Sequence, residues 1–111
     1  MLARDHRIVS GTHLRLVQRR GVRFANPCFV MNTLVTTSDS PARYGFVVAK
    51  SVGGAVVRNK VKRRLRALAA LSLVDQDSGR DVVVRALPPA AHASFEDLKV
   101  LWDIAIKKSQ R

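Results

Sequence analysis

Six cationic side chains lie within nine consecutive residues near the middle of the chain. The nearest acids on either side are Asp39 and Asp75. Like charges four residues apart destabilise a helix by roughly 0.2–0.5 kcal/mol per pair, so a solvated helix normally contains acids as well. The pattern therefore favours binding of a polyanion over a merely solvated basic surface. The segment reads Arg58-Asn59-Lys60-Val61-Lys62-Arg63-Arg64-Leu65-Arg66.

Apolar residues within and around this segment recur at helical spacing. They are Val57, Val61, Leu65, Leu68 and Leu71. The intervals of four, four, three and three predict a helix over 55–71, packed on one side and preceded by Gly53-Gly54. At about 100° per residue, one continuous arc opposite this stripe is expected to hold Arg58, Asn59, Lys62, Arg63 and Arg66, with Lys60 and Arg64 on its flank. Arginines of this arc can clamp phosphates bidentately, lysines act as point charges, and Asn59 can contact a base edge or ribose hydroxyl.

Composition favours one small nucleic-acid-binding domain over 1–111. The chain carries 20 Lys and Arg against 8 Asp and Glu, a net charge of +12, and is 47% hydrophobic. No apolar run approaches the roughly 18 residues of a membrane span, so we expect no membrane partner. The start lacks the apolar stretch of a secretory signal, and we expect a cytoplasmic protein. A single cysteine excludes zinc fingers, and strand content disfavours the helical DNA-binding motifs. We therefore expect nucleic-acid binding without a sequence-specific DNA-binding motif.

Side chains for catalysis by the polypeptide are scarce. The acids Asp75, Asp77 and Asp81 lack the ligand spacing of a calcium loop and are interpreted as a solvated turn. The histidines His6, His13 and His92 lack metal-pair spacing and are interpreted as surface or packing residues. Cys28 is expected to pack near a strand, with a nucleophilic role as the alternative. We therefore predict neither catalytic nor metal-binding residues in the protein.

The remaining elements position the basic helix. A first helix over 10–20, capped by Ser10 or Thr12, precedes a short edge strand over 22–25. Strands are predicted over 29–37 and 43–50 as a hairpin, and over 81–86 as a strand buried on both faces. Ser94 caps a last helix, with Asp97 at the third position. The result is an α+β fold of order α-β-β-β-α-β-α, with a four-stranded sheet packed against helices.

The segment from Gly53 to Arg66 closely resembles the signature of the bacterial ribonuclease P protein component. Arg58-Asn59-Lys60 corresponds to the Arg-Asn-Arg element of that family. The resemblance extends through Tyr44-Gly45-Phe46-Val47-Val48-Ala49-Lys50 and Gly79-Arg80-Asp81-Val82-Val83-Val84, and to the length and element order. It implies a left-handed crossover from the third to the fourth strand, against the usual right-handed rule.

The resemblance also implies a function as the protein subunit of a ribozyme. A catalytic RNA, using bound Mg²⁺, removes the 5′ leader of precursor tRNA, and the protein improves substrate binding and metal affinity. Both RNAs are expected partners, and no DNA partner is expected. The RNA subunit is expected to contact Arg58, Asn59, Lys60, Lys62, Arg63 and Arg66. A cleft between the first helix and the sheet is expected to take the leader through Leu14, Arg15, Gln18, Arg19 and Lys50.

This chain departs from the family pattern in the cleft. Leu14 and Gln18 stand where relatives commonly have aromatics, Asn32 replaces a frequent tyrosine, and Gly54 replaces the usual asparagine. Stacking is worth roughly 1–3 kcal/mol per base, so leader contact is expected to depend more on the basic residues.

The alternatives to a ribonuclease P subunit are a structural RNA-binding protein of ribosomal type and a small nuclease acting alone.

Overall fold

Helices and strands follow one another in the order that the sequence predicts. The computed structural model describes residues 2–37 and 39–109. The elements are α1 Gly11–Arg20, β1 Val22–Ala25, β2 Phe29–Val35, β3 Arg43–Val47, α2 Ala55–Ser72, β4 Arg80–Ala86 and α3 Phe95–Ser109. The α+β class and the α-β-β-β-α-β-α order are confirmed. The third strand is shorter than predicted, because Lys50–Val52 forms a 3₁₀ turn.

The four strands form one sheet in the order β1-β2-β4-β3. Because β4 lies between β2 and β3, antiparallel to the first and parallel to the second, the predicted β2–β3 hairpin is wrong. Residues 82–84 are almost fully buried, and a strand with apolar side chains on both faces is best accommodated in the centre of a sheet. The parallel neighbours are joined through α2, and the left-handed sense of that crossover stays a prediction.

The hairpin of this fold joins β1 to β2 instead. Asn26 occupies the connection, and its Oδ1 accepts hydrogen bonds of 2.9 Å from the N–H groups of Cys28 and Phe29. Asparagine side chains commonly stabilise turns in this way. The longer loop between β2 and β3 crosses the start of β4, where the Ala42 N–H donates to the Asp77 carbonyl.

The main core lies between one face of the sheet and helices α2 and α3. Trp102 of α3 is fully buried, with its ring centroid 5.9 Å from that of Phe29 and 6.1 Å from that of Tyr44. Its indole N–H donates to Ser72 Oγ at 2.7 Å, so the one polar atom of the ring has an acceptor. Leu65 packs into the same core. These contacts fix which side of α2 faces solvent.

Two predicted helix starts have the expected side-chain caps. Ser10 Oγ accepts the N–H of His13 at 3.3 Å, and Ser94 Oγ accepts the N–H of Asp97 at 3.0 Å. Each bond satisfies an N–H group that a helix start leaves without a partner. Gly54 precedes α2 and offers no side-chain cap. Among the described residues, no helix is long and apolar enough to cross a membrane.

The other face of the sheet is covered in part by α1 and by the residues before it. Ile8, Val17 and Val83 form a small second core there. The Ile8 N–H donates to the Tyr44 carbonyl at 3.0 Å. The backbone of Arg7 forms an isolated parallel β-bridge with that of Tyr44. The N-terminal segment therefore pairs with the outer edge of β3, which would otherwise expose unpaired backbone groups.

Candidate nucleic-acid interface

Helix α2 directs its apolar stripe into the core and much of its charge toward solvent. Val61, Leu65, Leu68 and Ala69 are buried. No acid occurs between Ala55 and Ser72, and in the described part of the chain no carboxylate forms an ion pair with its cations. Nearby positive charges without counter-ions create a strong local field for a polyanion. The exposed members of the predicted RNA-binding set are Asn59, Lys60, Arg63 and Arg66.

Arg58 and Lys62 lie closer to the core than the sequence predicts. Both are half-buried, and Arg58 Nε is buried without a hydrogen-bond partner among the described residues. Seven residues separate Arg58 from Leu65, and Lys62 from Ala69. Seven residues make nearly two helical turns, so the expected position of these two cations opposite the stripe is wrong. They line the border between the core and the exposed basic surface.

Arg64 differs from its neighbour Arg63 although both belong to the same basic segment. Its Nη1 donates to the Ala93 carbonyl at 2.8 Å, and the bond is partly buried. It connects α2 to the loop before α3, whereas Arg63 is exposed. Of these two adjacent arginines, Arg64 therefore has a structural contact, whereas Arg63 faces solvent.

The second candidate surface is a cleft between α1 and the sheet. Asn32 Nδ2 donates to the Gln18 carbonyl at 3.3 Å, connecting β2 to the last turn of α1. Beside this bond is a cavity of about 440 Å³. Strand pairing of Arg23 with Asn32, and of Val30 with Arg85, places residues from three strands on one face. The cavity is lined by Gln18, Arg23, Val30, Asn32, Val83 and Arg85.

Two of the five residues predicted for this cleft face the sheet. Gln18 lines the cavity. Leu14 packs over Gly45, where any Cβ would collide with the Leu14 side chain. Leu14 also contacts the small core around Val17. Its side chain therefore helps to support α1 on the sheet.

The three cationic members of the predicted cleft lie farther out. Arg15 and Arg19 are exposed, and both are displaced from the buried Val17 by about 160° around α1. Lys50 is exposed in the 3₁₀ turn that follows β3. The structure thus does not bring these three side chains into the cavity itself. Their contact with a leader stays a prediction.

Two arginines on the strands are functional candidates beyond those that the sequence predicts. Arg85 is the one exposed residue of β4, and Arg23 pairs across the hairpin with Asn32. A signal for Arg85 was available, since it interrupts the apolar run of the strand. Side chains alternate between the two faces of a sheet, so burial of Val84 and Ala86 in the main core directs Arg85 to the α1 side. No comparable signal identified Arg23, because its location depends on the pairing of β1.

A buried carboxylate connects α1 to the centre of the sheet. Asp81 is 2% exposed; His13 Nε2 lies 2.6 Å from its Oδ2, and Arg43 donates through Nε and Nη2 to both of its oxygens at 3.0 Å. The predicted solvated turn is correct for Asp75 and Asp77, which are exposed, but wrong for Asp81. Strand β4 begins at Arg80, one residue earlier than expected, so Asp81 lies within the buried strand and not in the turn. His13 has the predicted packing role.

Other polar groups in the core have environments that favour structural roles. Burial raises the pKa of the Cys28 thiol, and the negative charge of Asp97 raises it further. A raised pKa disfavours the thiolate, which is the nucleophilic form. Burial also lowers the pKa of the Arg80 guanidinium, which donates to Gln76 and Ser109. In residues 2–37 and 39–109, no three His, Cys, Asp or Glu side chains converge as metal ligands.

Comparisons with known proteins agree on one family. The family model for Ribonuclease P matches residues 2–110. A ribonuclease P protein component of Arthrobacter sp. (strain FB24) is 44% identical over 111 residues, covering 100% of this chain and 82% of the relative. That of Clavibacter michiganensis subsp. michiganensis is 37% identical, covering 100% of this chain and 98% of the relative.

Solved structures give the same match in three dimensions. The RNase P protein of Staphylococcus aureus superposes with a TM-score of 0.80 at 26% identity, covering 92% of this chain and 93% of the other. The RNase P protein of Thermotoga maritima gives a TM-score of 0.72 at 26% identity, covering 86% and 94%. The family model, which matches residues 2–110, therefore spans both the basic helix and α1.

Proposed function

The chain belongs to the Ribonuclease P family, and we propose that its two candidate surfaces bind the two RNAs of that enzyme. The chain is a subunit of the endoribonuclease that processes the 5′ end of tRNA. The basic face of α2 binds the catalytic RNA, and the cleft beneath α1 binds the 5′ leader of precursor tRNA. On α2 the assigned residues are Arg58, Asn59, Lys60, Lys62, Arg63 and Arg66.

The observation that carries this proposal is the uncompensated charge of α2. Arg63 and Arg66 extend into solvent from a helix whose opposite side is fixed by Leu65 in the core. The backbone of this site is thus rigid before RNA arrives, which reduces the entropy lost on binding. Guanidinium groups can contact phosphates with two parallel hydrogen bonds. Neutralising phosphates releases counterions, so affinity should fall steeply with salt.

The leader cleft is concave and carries fewer cations than the basic face of α2. Gln18 and Asn32 supply amide groups, and Arg23 and Arg85 supply cations around an apolar floor. A single strand can place a phosphate against an arginine and a base edge against an amide in such a cleft. Of the residues predicted from the sequence, Gln18 lines this cavity and Leu14 supports α1 on the sheet. Arg15, Arg19 and Lys50 are exposed outside the cavity. We assign leader contact to both the predicted residues and the cavity lining.

The protein contributes binding and orientation in this assignment. Hydrolysis is performed by the catalytic RNA with Mg²⁺. We place this Mg²⁺ mainly on the RNA subunit. Basic side chains of α2 reduce repulsion between RNA phosphates and thereby favour the folded ribozyme. Holding the leader beside the catalytic RNA raises the effective concentration of the scissile bond there.

The test is a cleavage assay with a matching catalytic RNA. Precursor tRNA is incubated with the RNA alone and with the RNA plus protein across a Mg²⁺ series. We expect the protein to lower the Mg²⁺ concentration needed for half-maximal cleavage. An unchanged requirement would contradict the proposal. Protein without RNA serves as the control for a nuclease acting alone, and cleavage by that sample would support that alternative.

A structural RNA-binding protein of ribosomal type is the second candidate. A cationic helix beside a sheet would also suit that function, but the family membership favours ribonuclease P. RNA recovered with the protein from cells separates the two. Enrichment of the catalytic RNA and tRNA precursors is expected, and a ribosomal RNA profile would favour the alternative.

A further inference from the structure

A third basic region lies at the outer edge of β3, away from both surfaces already assigned. It is a pocket of about 340 Å³ formed where the N-terminal segment meets the start of β3. Three arginines and one aspartate line it, an excess of two positive charges. The pocket is not part of α2 and shares no lining residue with the cleft cavity. Its lining is Arg4, Asp5, Arg7, Val9, Pro41 and Arg43.

Two of these guanidinium groups are held in place by bonds to the protein. Arg7 donates through Nε and Nη2 to the Leu2 carbonyl at 3.0 and 2.9 Å. Arg43 donates through the corresponding atoms to Asp81, at 3.0 Å each. In the described residues neither Nη1 group has an acceptor, so each retains two N–H donors. The groups are thus ordered before a ligand arrives, and less rotamer entropy is lost on binding.

The lining acid does not neutralise the pocket. Asp5 forms no ion pair within 4.0 Å among the described residues, and Arg4 makes no side-chain hydrogen bond there. Asp81 offsets the charge of Arg43 on its inner side, so Arg4 and Arg7 together outweigh Asp5 by one positive charge. Arg4 is exposed and can close over a ligand.

We propose that this pocket binds a backbone phosphate of RNA. Two ordered arginines and one free one suit a phosphodiester, because guanidinium groups match phosphate oxygens bidentately. The inference rests on the proposed function, since it adds a contact to the same RNA-protein assembly. The phosphate can come from the catalytic RNA or from the precursor leader, and the experiment distinguishes these sources.

Val9 offers a way to test the pocket without disturbing its arginines. Its side chain is 83% exposed and lines the pocket, so Val9→Glu places a carboxylate there at little cost to the fold. Val74 is equally exposed at 83% but lies after α2. Val74→Glu is therefore a matched control with the same change in charge. Arg4→Gln is the second test variant, because it removes a cation that has no structural bond.

The measurement has two arms, each over a salt series. One determines the dissociation constant of the catalytic RNA, and the other that of precursor tRNA for the assembled enzyme. We expect Val9→Glu and Arg4→Gln to weaken one arm roughly threefold to tenfold at low salt, and to reduce the log–log salt slope by about 0.7–0.9, relative to Val74→Glu. Loss confined to the first arm assigns the phosphate to the catalytic RNA, and loss confined to the second assigns it to the precursor.

Equal affinities and slopes for Val9→Glu, Arg4→Gln and Val74→Glu in both arms would overturn the pocket proposal. The unmodified protein is assayed in parallel for its effect on the Mg²⁺ requirement. If it lowers that requirement while the variants match the control, the pocket fails and the proposed function stands. If it does not, the proposed function itself fails.

Discussion

The basic face of α2 and the cleft beneath α1 bind RNA by different physical means in our proposal. On α2 the cations project from a convex helix, and Arg63 and Arg66 meet solvent without a counter-ion in the described residues. In the cleft, side chains from α1 and three strands surround a cavity of about 440 Å³. Convex charge acts through a long-range field, whereas a cleft discriminates by shape and hydrogen bonding.

The difference extends to what holds each surface in place. The α2 face depends on apolar burial, with Leu65 fully inside the core. The cleft adds polar connections to the small apolar core around Val17. Asp81 joins His13 to Arg43, and Asn32 joins β2 to α1. Apolar packing tolerates changes of salt, while polar connections fix orientation but fail when one partner is lost. We therefore expect the two surfaces to be separable by mutation.

The largest effect should follow from removing the support of α2. Leu65→Ala leaves a cavity in the core, and we expect a loss of about 2–5 kcal/mol in the free energy of unfolding, measured by urea titration. Leu71 belongs to the predicted apolar stripe but is 53% exposed. Leu71→Ala is therefore the control, with an expected change within about 0.5 kcal/mol. Equal losses in the two variants would show that the buried face of α2 is wrongly assigned.

Removing the support of the cleft should have the next largest effect. Asp81→Ala leaves Arg43 without its partner, and we expect a loss of about 3 kcal/mol in the free energy of unfolding, the lower end for breaking a buried pair because the Arg43 side chain is 36% exposed. Asp77→Ala removes an exposed acid from the preceding turn and should change stability by less than about 0.5 kcal/mol.

The same pair of variants also tests whether the surfaces are separable. Under conditions in which both fold, Asp81→Ala should weaken binding of a precursor with a leader more than binding of the catalytic RNA. Without Asp81 the orientation of α1 is no longer fixed, which affects the cleft and leaves α2 in place. An equal loss for both RNAs would mean that the two surfaces are coupled through the sheet, or that the pocket lined by Arg43 contacts the catalytic RNA.

The sequence predicted the α2 surface better than the cleft, and the reason is the range of the interactions involved. A surface on one helix follows from the spacing of neighbours, so the exposure of Arg63 could be inferred locally. Arg58 lies on the Leu65 side of α2 and not opposite it, because a spacing of seven residues makes nearly two helical turns. The cleft is assembled by strand pairing, and the incorrect β2–β3 hairpin concealed the central position of β4. Arg23 and Arg85 could not be brought together without that register.

A smaller and sharper contrast separates two adjacent arginines of α2. Arg63→Ala should weaken catalytic RNA binding roughly tenfold, about 1.4 kcal/mol, and reduce the salt slope by about 0.7–0.9, with stability nearly unchanged. Arg64→Ala breaks the bond to the Ala93 carbonyl and should lower the free energy of unfolding by about 0.5–1.5 kcal/mol. Its RNA affinity should change less than that of Arg63→Ala. If Arg64→Ala weakened RNA binding more than Arg63→Ala, the RNA would contact the flank of α2.

The smallest expected effect distinguishes the cleft that the sequence predicts from the one that the structure forms. Arg85 lines the cavity, whereas Arg19 lies on the outer side of α1. Arg85→Ala should weaken binding of precursor tRNA by the assembled enzyme about threefold, the effect of losing one phosphate contact, and leave binding of leaderless tRNA unchanged. Arg19→Ala should affect the precursor less, because its side chain approaches a leader only at the margin. A larger loss for Arg19→Ala would move the leader path from the sheet to the outer surface of α1, and an equal loss with leaderless tRNA would assign Arg85 to the tRNA body.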